Sequence, residues 1–424
     1  MEKELYNAFL NILKEELVPA MGCTEPIAIA YAGALARKTL GEIPESAELS
    51  VSGNIIKNVK SVIVPHTGGK KGLKAALAVG ILFGDADKKL EVISDIKEDI
   101  SKELDYYAEK ADISVKKADS DYPFDIGVLV KSKENTAYVH ITERHTNVVR
   151  VEKNGEVLFE KTGDDSPEKL PESRELLSVE KIVEFADEVL TDDVRDILDR
   201  QINYNMKIAE EGMKGSYGAA IGNILLSSYG DSVHNKAKAW AAAGSDARMN
   251  GCEKPVIINS GSGNQGITAS VPVIIYAKEN NLSDDKLYRA LVVSNLVTIH
   301  LKTGIGCLSA YCGATSAGAG AGSGICYLLG GKFEEVAHTV VNALAVNSGM
   351  ICDGAKASCA AKIASAVEAG LLGWNMYKNN SQFYGGDGII VKGVENTIRA
   401  VSKVARDGMR STDDEIIKLM IENE

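Results

Sequence analysis

The stretch TGIGCLSAYCGATSAGAGAGSGICYLLGG, residues 303–331, contains no Asp, Glu, Lys or Arg. On charge alone it is long enough to span a bilayer. Its composition argues otherwise: Gly, Ala, Ser and Thr dominate, three cysteines interrupt it, and such residues gain little on transfer into hydrocarbon. The mean hydropathy of the whole chain is only −0.06. The stretch therefore reads as a helix or helix pair buried inside the protein. Small side chains there let backbones approach closely, around a cofactor or at a tight helix crossing.

Apolar stripes of roughly helical period surround this segment, over 179–213, 235–249, 284–301, 333–346, 356–376, 394–404 and 413–421. Near the start, Leu5, Phe9, Ile12, Leu13 and Leu17 have the same spacing, and Pro19 with Gly22 ends it. A second helix is expected from Pro26 to Ala36, with Thr24 placed to cap it. From Ala47 the period changes to that of short strands: 49–51, 62–64, 92–93, 115, 126–130 and 138–141. Asn154-Gly155 between two further β-branched runs is a two-residue hairpin signal. Helices are expected at 71–83 and 95–110, and a polar, proline-containing linker at 164–172. The expected fold is a mixed α+β protein. A large mainly helical domain, residues 1–45 and 176–424, carries an α/β insert, residues 46–175, and the two meet at a cleft.

The 424 residues are 45% hydrophobic and 25% charged, the balance of a soluble globular chain of two or three packed units. Lys and Arg number 47 against 59 Asp and Glu, a net charge of −12. That balance argues against the phosphate-neutralising face that a nucleic-acid partner needs. The first 21 residues carry four acidic side chains and no uninterrupted apolar core, so a cytoplasmic protein without a membrane partner is expected. Nothing proves self-association by a heptad run, though a helical surface for a homo-oligomer fits the pattern.

Five of the seven cysteines fall between Cys307 and Cys359, and in a chain read as intracellular they are thiols or ligands before they are disulfides. Cys352 and Cys359 in ICDGAKASC are seven residues apart, so on a helix both sulfurs would share one face. Cys307 or Cys312 would supply a third thiolate. Three cysteines with no nearby histidine suit an iron–sulfur cluster better than zinc, while the plain alternative is a set of small buried hydrophobes. Cys23 in GCTEP stands just before an expected helix, where unpaired N–H groups and the helix dipole would lower its pKa and make it a base or nucleophile. The run NSGSGNQG offers backbone N–H groups and the amides of Asn264 and Gln265 for an anion, and VPHTGGKKG offers His66 and Thr67. Every other histidine reads as structural.

With GCTEP, SGNIIKNV, NSGSGNQG, LSAYCG and ICDGAKASC in this order, the chain resembles the L-cysteine desulfidase family, relatives of the iron–sulfur L-serine dehydratase α chain. The resemblance covers nearly the whole length. It implies a [4Fe–4S] cluster held by Cys312, Cys352 and Cys359, with Cys307 and Cys326 as bystanders. It also implies Cys23 as the base that removes the Cα proton, with Glu25 as the second candidate. The amino-acid substrate would be held by the Ser260–Gln265 loop, through Ser260, Ser262, Asn264 and Gln265, and by His66 and Thr67. Sulfide would leave L-cysteine, giving pyruvate and ammonia.

Three other readings compete. L-serine dehydration would use the same open iron, with water leaving instead of sulfide. A pyridoxal-phosphate lyase could use SGSGNQG as a ring-cradling loop with Lys238 or Lys254 as the Schiff-base lysine, and a redox sensor would use an oxygen-sensitive cluster as a switch.

Overall fold

The computed structural model describes residues 1–97, 99–161, 172–215 and 217–422, and the fold is α+β. Eight strands are described: β1 (Pro19–Met21), β2 (Ser46–Val51), β3 (Asp112–Lys117), β4 (Asp125–Lys131), β5 (Thr136–Thr142), β6 (Val148–Lys153), β7 (Glu156–Glu160) and β8 (Pro255–Ile257). Six form one mixed sheet in the order β3-β2-β4-β5-β6-β7, in which only β2 and β3 run parallel. The β6–β7 hairpin turns at Asn154 and Gly155, with φ of 53° and 83°, the left-handed pair that a two-residue turn needs. The alternation in β2 buries Ala47, Leu49 and Val51 on one face.

The helix Thr24–Leu40 packs on β4, β5 and β6 and also against the helix Gly72–Phe83. A Cβ on Gly80 would stand 2.1 Å from the Ala30 carbonyl oxygen, so these two helices touch backbone to backbone. Covered on both sides, the Thr24 helix is alanine-rich and buried almost all round. The preceding strand β1 pairs instead with β8, Ala20 opposite Val256. That antiparallel pair joins residues 19–23 to the turn that follows Ile257, although more than 230 residues separate them in sequence.

At the centre of the helical part lies Gly313–Leu328, a single helix where a helix or a pair was expected. Gly318 and Gly322 lie against the helix Cys359–Lys378, where a Cβ would come 2.2 Å from Ala366 O and 2.5 Å from Gly370 O. Gly320 and Gly324 lie against the helix Asp284–Thr303. The small residues thus serve two close helix crossings at once, and among the described residues no helix is long and apolar enough to cross a membrane. One continuous apolar core runs through both the helices and the sheet.

The structure departs from the sequence reading at several places. Residues 62–64 form only a single bridge, Ile63 to Lys71, and 92–93 lie in turns after a 3₁₀ segment, Ala86–Glu91. The helix expected from residue 95 begins at Ser101. The stripe at 179–213 is two helices, Val179–Glu188 and Thr191–Met213, because the chain turns extended at Val189 and Leu190. Helices Gly53–Val59 and Ile221–Tyr229 and the three-residue strands β1 and β8 are too short to leave a periodic signal. Most of the expected linker, 164–171, lies outside the described residues.

Candidate active site

Four helices begin at one cavity. Cys23 is the N-cap residue of Thr24–Leu40, Ser262 that of Gly263–Glu279, and Cys312 that of Gly313–Leu328, while Cys359 opens Cys359–Lys378. All four line a cleft enclosing about 790 Å³, part of it open to solvent. Each helix start presents N–H groups without intrahelical partners and the positive end of its dipole, so the cleft is built for anions.

The cavity gathers most of the residues singled out in the sequence. Cys23 and Glu25 line it, as do Ser260, Ser262, Asn264 and Gln265 from the turn after β8, and so do Cys312, Cys352 and Cys359. Two others stand apart. His66, at φ 61°, lies 3.3 Å from Glu253 through Nδ1, and Thr67 is buried with its hydroxyl donating to Val64 O at 2.7 Å. Both shape their own turn and neither lines the cavity. Nor do the two lysines of the pyridoxal reading: Lys238 is paired with Glu368 at 2.5 Å and Lys254 with Glu211 at 3.8 Å.

Cys352 and Cys359 meet for a different reason from the one expected. Residues 352–358 are not helical. Ile351 bridges Tyr311, the Cys352 N–H donates to Ala310 O at 2.6 Å, and Gly354 turns the chain at φ 91° with Lys57 O against it. Gly354 is the breaker, since any side chain there would meet Lys57 O at 2.2 Å. Asp353 clamps the loop through Lys356 and Lys362. Although burial opposes it, hydrogen bonds from the two ammonium groups hold its carboxyl down to about 2.

Burial, more than any other factor, pushes the Cys312 thiol up to about 12, and the neighbouring Cys352 and Cys359 add to the rise. Cys352 and Cys359 therefore stand close enough to Cys312 to oppose its ionisation. Cys307, expected to be a bystander, lines the same cavity and is raised to about 11 by burial, against the pull of Lys302. Cys326 is buried elsewhere, on the far part of its helix. Among the described residues no three His, Cys, Asp or Glu side chains are grouped to chelate one metal ion.

Cys23 corrects the sequence reading in one respect. Its pKa is raised well above the ordinary thiol value, because complete burial and the Glu25 carboxylate outweigh the helix start and Arg248. The thiol donates to Glu25 Oε2 at 3.2 Å, and Thr24 Oγ1 donates to the same oxygen at 3.1 Å. Cys23 forms a small buried cluster with Val62 and Met249, and Ala355 and Cys359 pack against that cluster.

The sequence reading takes His145 as structural and passes over Arg248 and Lys302, yet all three line the cavity. His145 reaches in from the β5–β6 connection, edge-on to Phe124 at 4.7 Å, with its pKa lowered by burial. Arg248 and Lys302 come from the last turns of their helices. An ionisable side chain in the otherwise alanine-rich run AWAAAGSDARM was the available signal for Arg248; His145 left none.

Residues 87–418 match the serine dehydratase alpha chain family. A UPF0597 protein of Desulfitobacterium hafniense is 57% identical over 98% of this chain and 97% of its own length. Those of Lachnoclostridium phytofermentans and Treponema denticola are 49% and 46% identical, covering 98% and 100% of this chain and the whole of each relative. With the family match spanning most of the chain and including Cys307, Cys312, Cys352 and Cys359 of the cavity, this chain belongs to the serine dehydratase alpha chain family.

Proposed function

We propose that the chain is an L-cysteine desulfidase, eliminating sulfide from L-cysteine at a [4Fe–4S] cluster held by Cys312, Cys352 and Cys359. The observation that carries this reading is that the Cys23–Glu25 pair and the three thiols share one cavity.

The donor set fits the group. Thiolates are the soft ligands such clusters take. Each would hold a different iron, so they need not crowd together as around a single ion, and four helix starts with Lys302 and Lys362 offset the negative charge. When bound, a cluster with three protein ligands supplies an iron with an open position, a Lewis acid toward the leaving sulfur.

The residues of the chain do the rest. Cys23 relays the proton: its sulfur takes the Cα proton as its own proton passes to Glu25 along the 3.2 Å hydrogen bond, so no free thiolate has to stand beside the Glu25 carboxylate. The Cα–H electron pair becomes the Cα–Cβ double bond and the Cβ–S pair leaves with sulfur. The aminoacrylate so released hydrolyses to pyruvate and ammonia. Ser260, Ser262, Asn264 and Gln265 face the space in which the amino acid must lie. The family description favours a second reading at the same site, L-serine dehydration, in which the hydroxyl leaves instead.

The test is iron and acid-labile sulfide content of anaerobically purified protein, with sulfide release from L-cysteine and pyruvate formation from L-serine measured on the same sample. Iron and sulfide near four each per chain, lost with activity in Cys312→Ala, are expected. Faster turnover of serine selects the dehydratase. Iron-free protein that still releases sulfide ends the cluster mechanism.

A further inference from the structure

Arg248 is 2% exposed, at the end of the helix Val233–Met249. One nitrogen, Nη1, donates to Asn264 Oδ1 at 3.2 Å, while Nε and Nη2 have no protein partner. Among the described residues no carboxylate pairs with it. A buried guanidinium with an unsatisfied edge is costly, so its retention calls for a ligand. The Nε and Nη2 hydrogens point the same way and form the fork that matches a carboxylate with two parallel bonds.

Other buried atoms of the same cavity are also without partners: Gln265 Oε1, His145 Nε2 and Tyr311 OH. A donor fork and an amide acceptor in one cleft complement the two charged ends of an α-amino acid. The turn is shaped for this arrangement. A Cβ on Gly263 would meet Arg248 Nε at 2.2 Å and Cζ at 2.8 Å, so glycine is what lets the guanidinium lie against the chain.

We infer that Arg248 is the specificity-determining residue that receives the substrate α-carboxylate through Nε and Nη2, with Gln265 Oε1 accepting from the ammonium group. The ammonium half rests on the proposed function; the carboxylate half does not. Asn264, already bonded to Nη1, holds the fork in place and is a positioning residue.

L-Alanine carries both charged ends and no leaving group, and L-alaninamide lacks only the carboxylate. Calorimetric titration of the anaerobic holoprotein should show L-alanine binding on the order of a hundredfold more tightly than L-alaninamide. Arg248→Gln should weaken L-alanine by a similar factor, and Arg248→Lys by about tenfold, since a point charge replaces the fork. KM for the turned-over amino acid should rise alongside, with kcat falling less. Wild-type protein that does not prefer L-alanine overturns the inference, and so does a folded Arg248→Gln with unchanged affinity and KM. If Arg248→Gln fails to fold, Gly263→Ala, which displaces the guanidinium without removing its charge, must weaken L-alanine in its place. Turnover of neither cysteine nor serine, with the L-alanine preference intact, would sink the proposed function and leave the carboxylate site standing. Normal turnover with an indifferent Arg248→Gln would do the reverse.

Discussion

Replacing Gly318 with alanine tests the link between the buried glycines and the site. A Cβ there would lie 2.2 Å from Ala366 O and 2.4 Å from Ala366 C, where ordinary contact starts near 3.4 Å. Both atoms are backbone, so no side-chain rotation relieves the clash, and the helices Gly313–Leu328 and Cys359–Lys378 must separate. Alanine would gain about 1 kcal/mol in helix propensity. Overpacking against an unyielding backbone costs about 3 kcal/mol or more, leaving a net loss of about 2 kcal/mol. In a chain of this size that lowers Tm by about 2 °C. Because Cys312 and Cys359 stand at the starts of these two helices, the separation should also lower iron per chain in anaerobic preparations. Gly349, exposed and with nothing within 4 Å of a Cβ, is the control, and alanine there should change stability by less than about 0.5 kcal/mol. A Gly318→Ala protein that melts at or above the wild-type temperature would refute the reasoning.

Cys23→Ala should lower turnover by about 10²–10⁴-fold with iron content unchanged, since a proton-transfer group is lost and no ligand is; full turnover with iron retained would remove Cys23 from the mechanism. Asp353→Asn frees Lys356 and Lys362 and unclamps the loop between Cys352 and Cys359, so iron should be lost faster to a chelator, and an unchanged rate would count against the clamp. Cys326 supplies a pH prediction. Burial raises its thiol from 9.0 to about 12, so its contribution to stability is whole below pH 9 and lost as pH rises towards 12. Under reducing conditions, the fall in unfolding free energy between pH 9 and 10.5 should be about 2 kcal/mol smaller in Cys326→Ala. An equal fall in the two proteins, measured by urea titration at the two pH values, would show that this thiol ionises freely in the fold.

What could be read from the chain alone followed from local physics. A charge-free run of Gly, Ala and Ser is too polar for lipid and too small for a surface helix, so burial at a helix crossing was legible before any coordinates, and Asn154-Gly155 specified its hairpin through φ. The set Cys23, Cys312, Cys352 and Cys359 came instead from the family resemblance that the order of the motifs carries, since spacing alone left Cys307 and Cys312 open. Tertiary structure decided the rest. Cys352 reaches the cavity through an irregular loop held by Lys57, Ala310 and Tyr311, which no helical period encodes. The β1–β8 pairing brings Cys23 to the Ser260–Gln265 turn across more than 230 residues, and the β5–β6 connection delivers His145. Burial reversed the expected effect on Cys23: a helix start favours a thiolate only where water or a cation also reaches it, and desolvation beside Glu25 wins here. Which polar groups lie buried without a partner, Arg248 above all, is a property of packing between distant segments, and the sequence carries it only after the chain has folded.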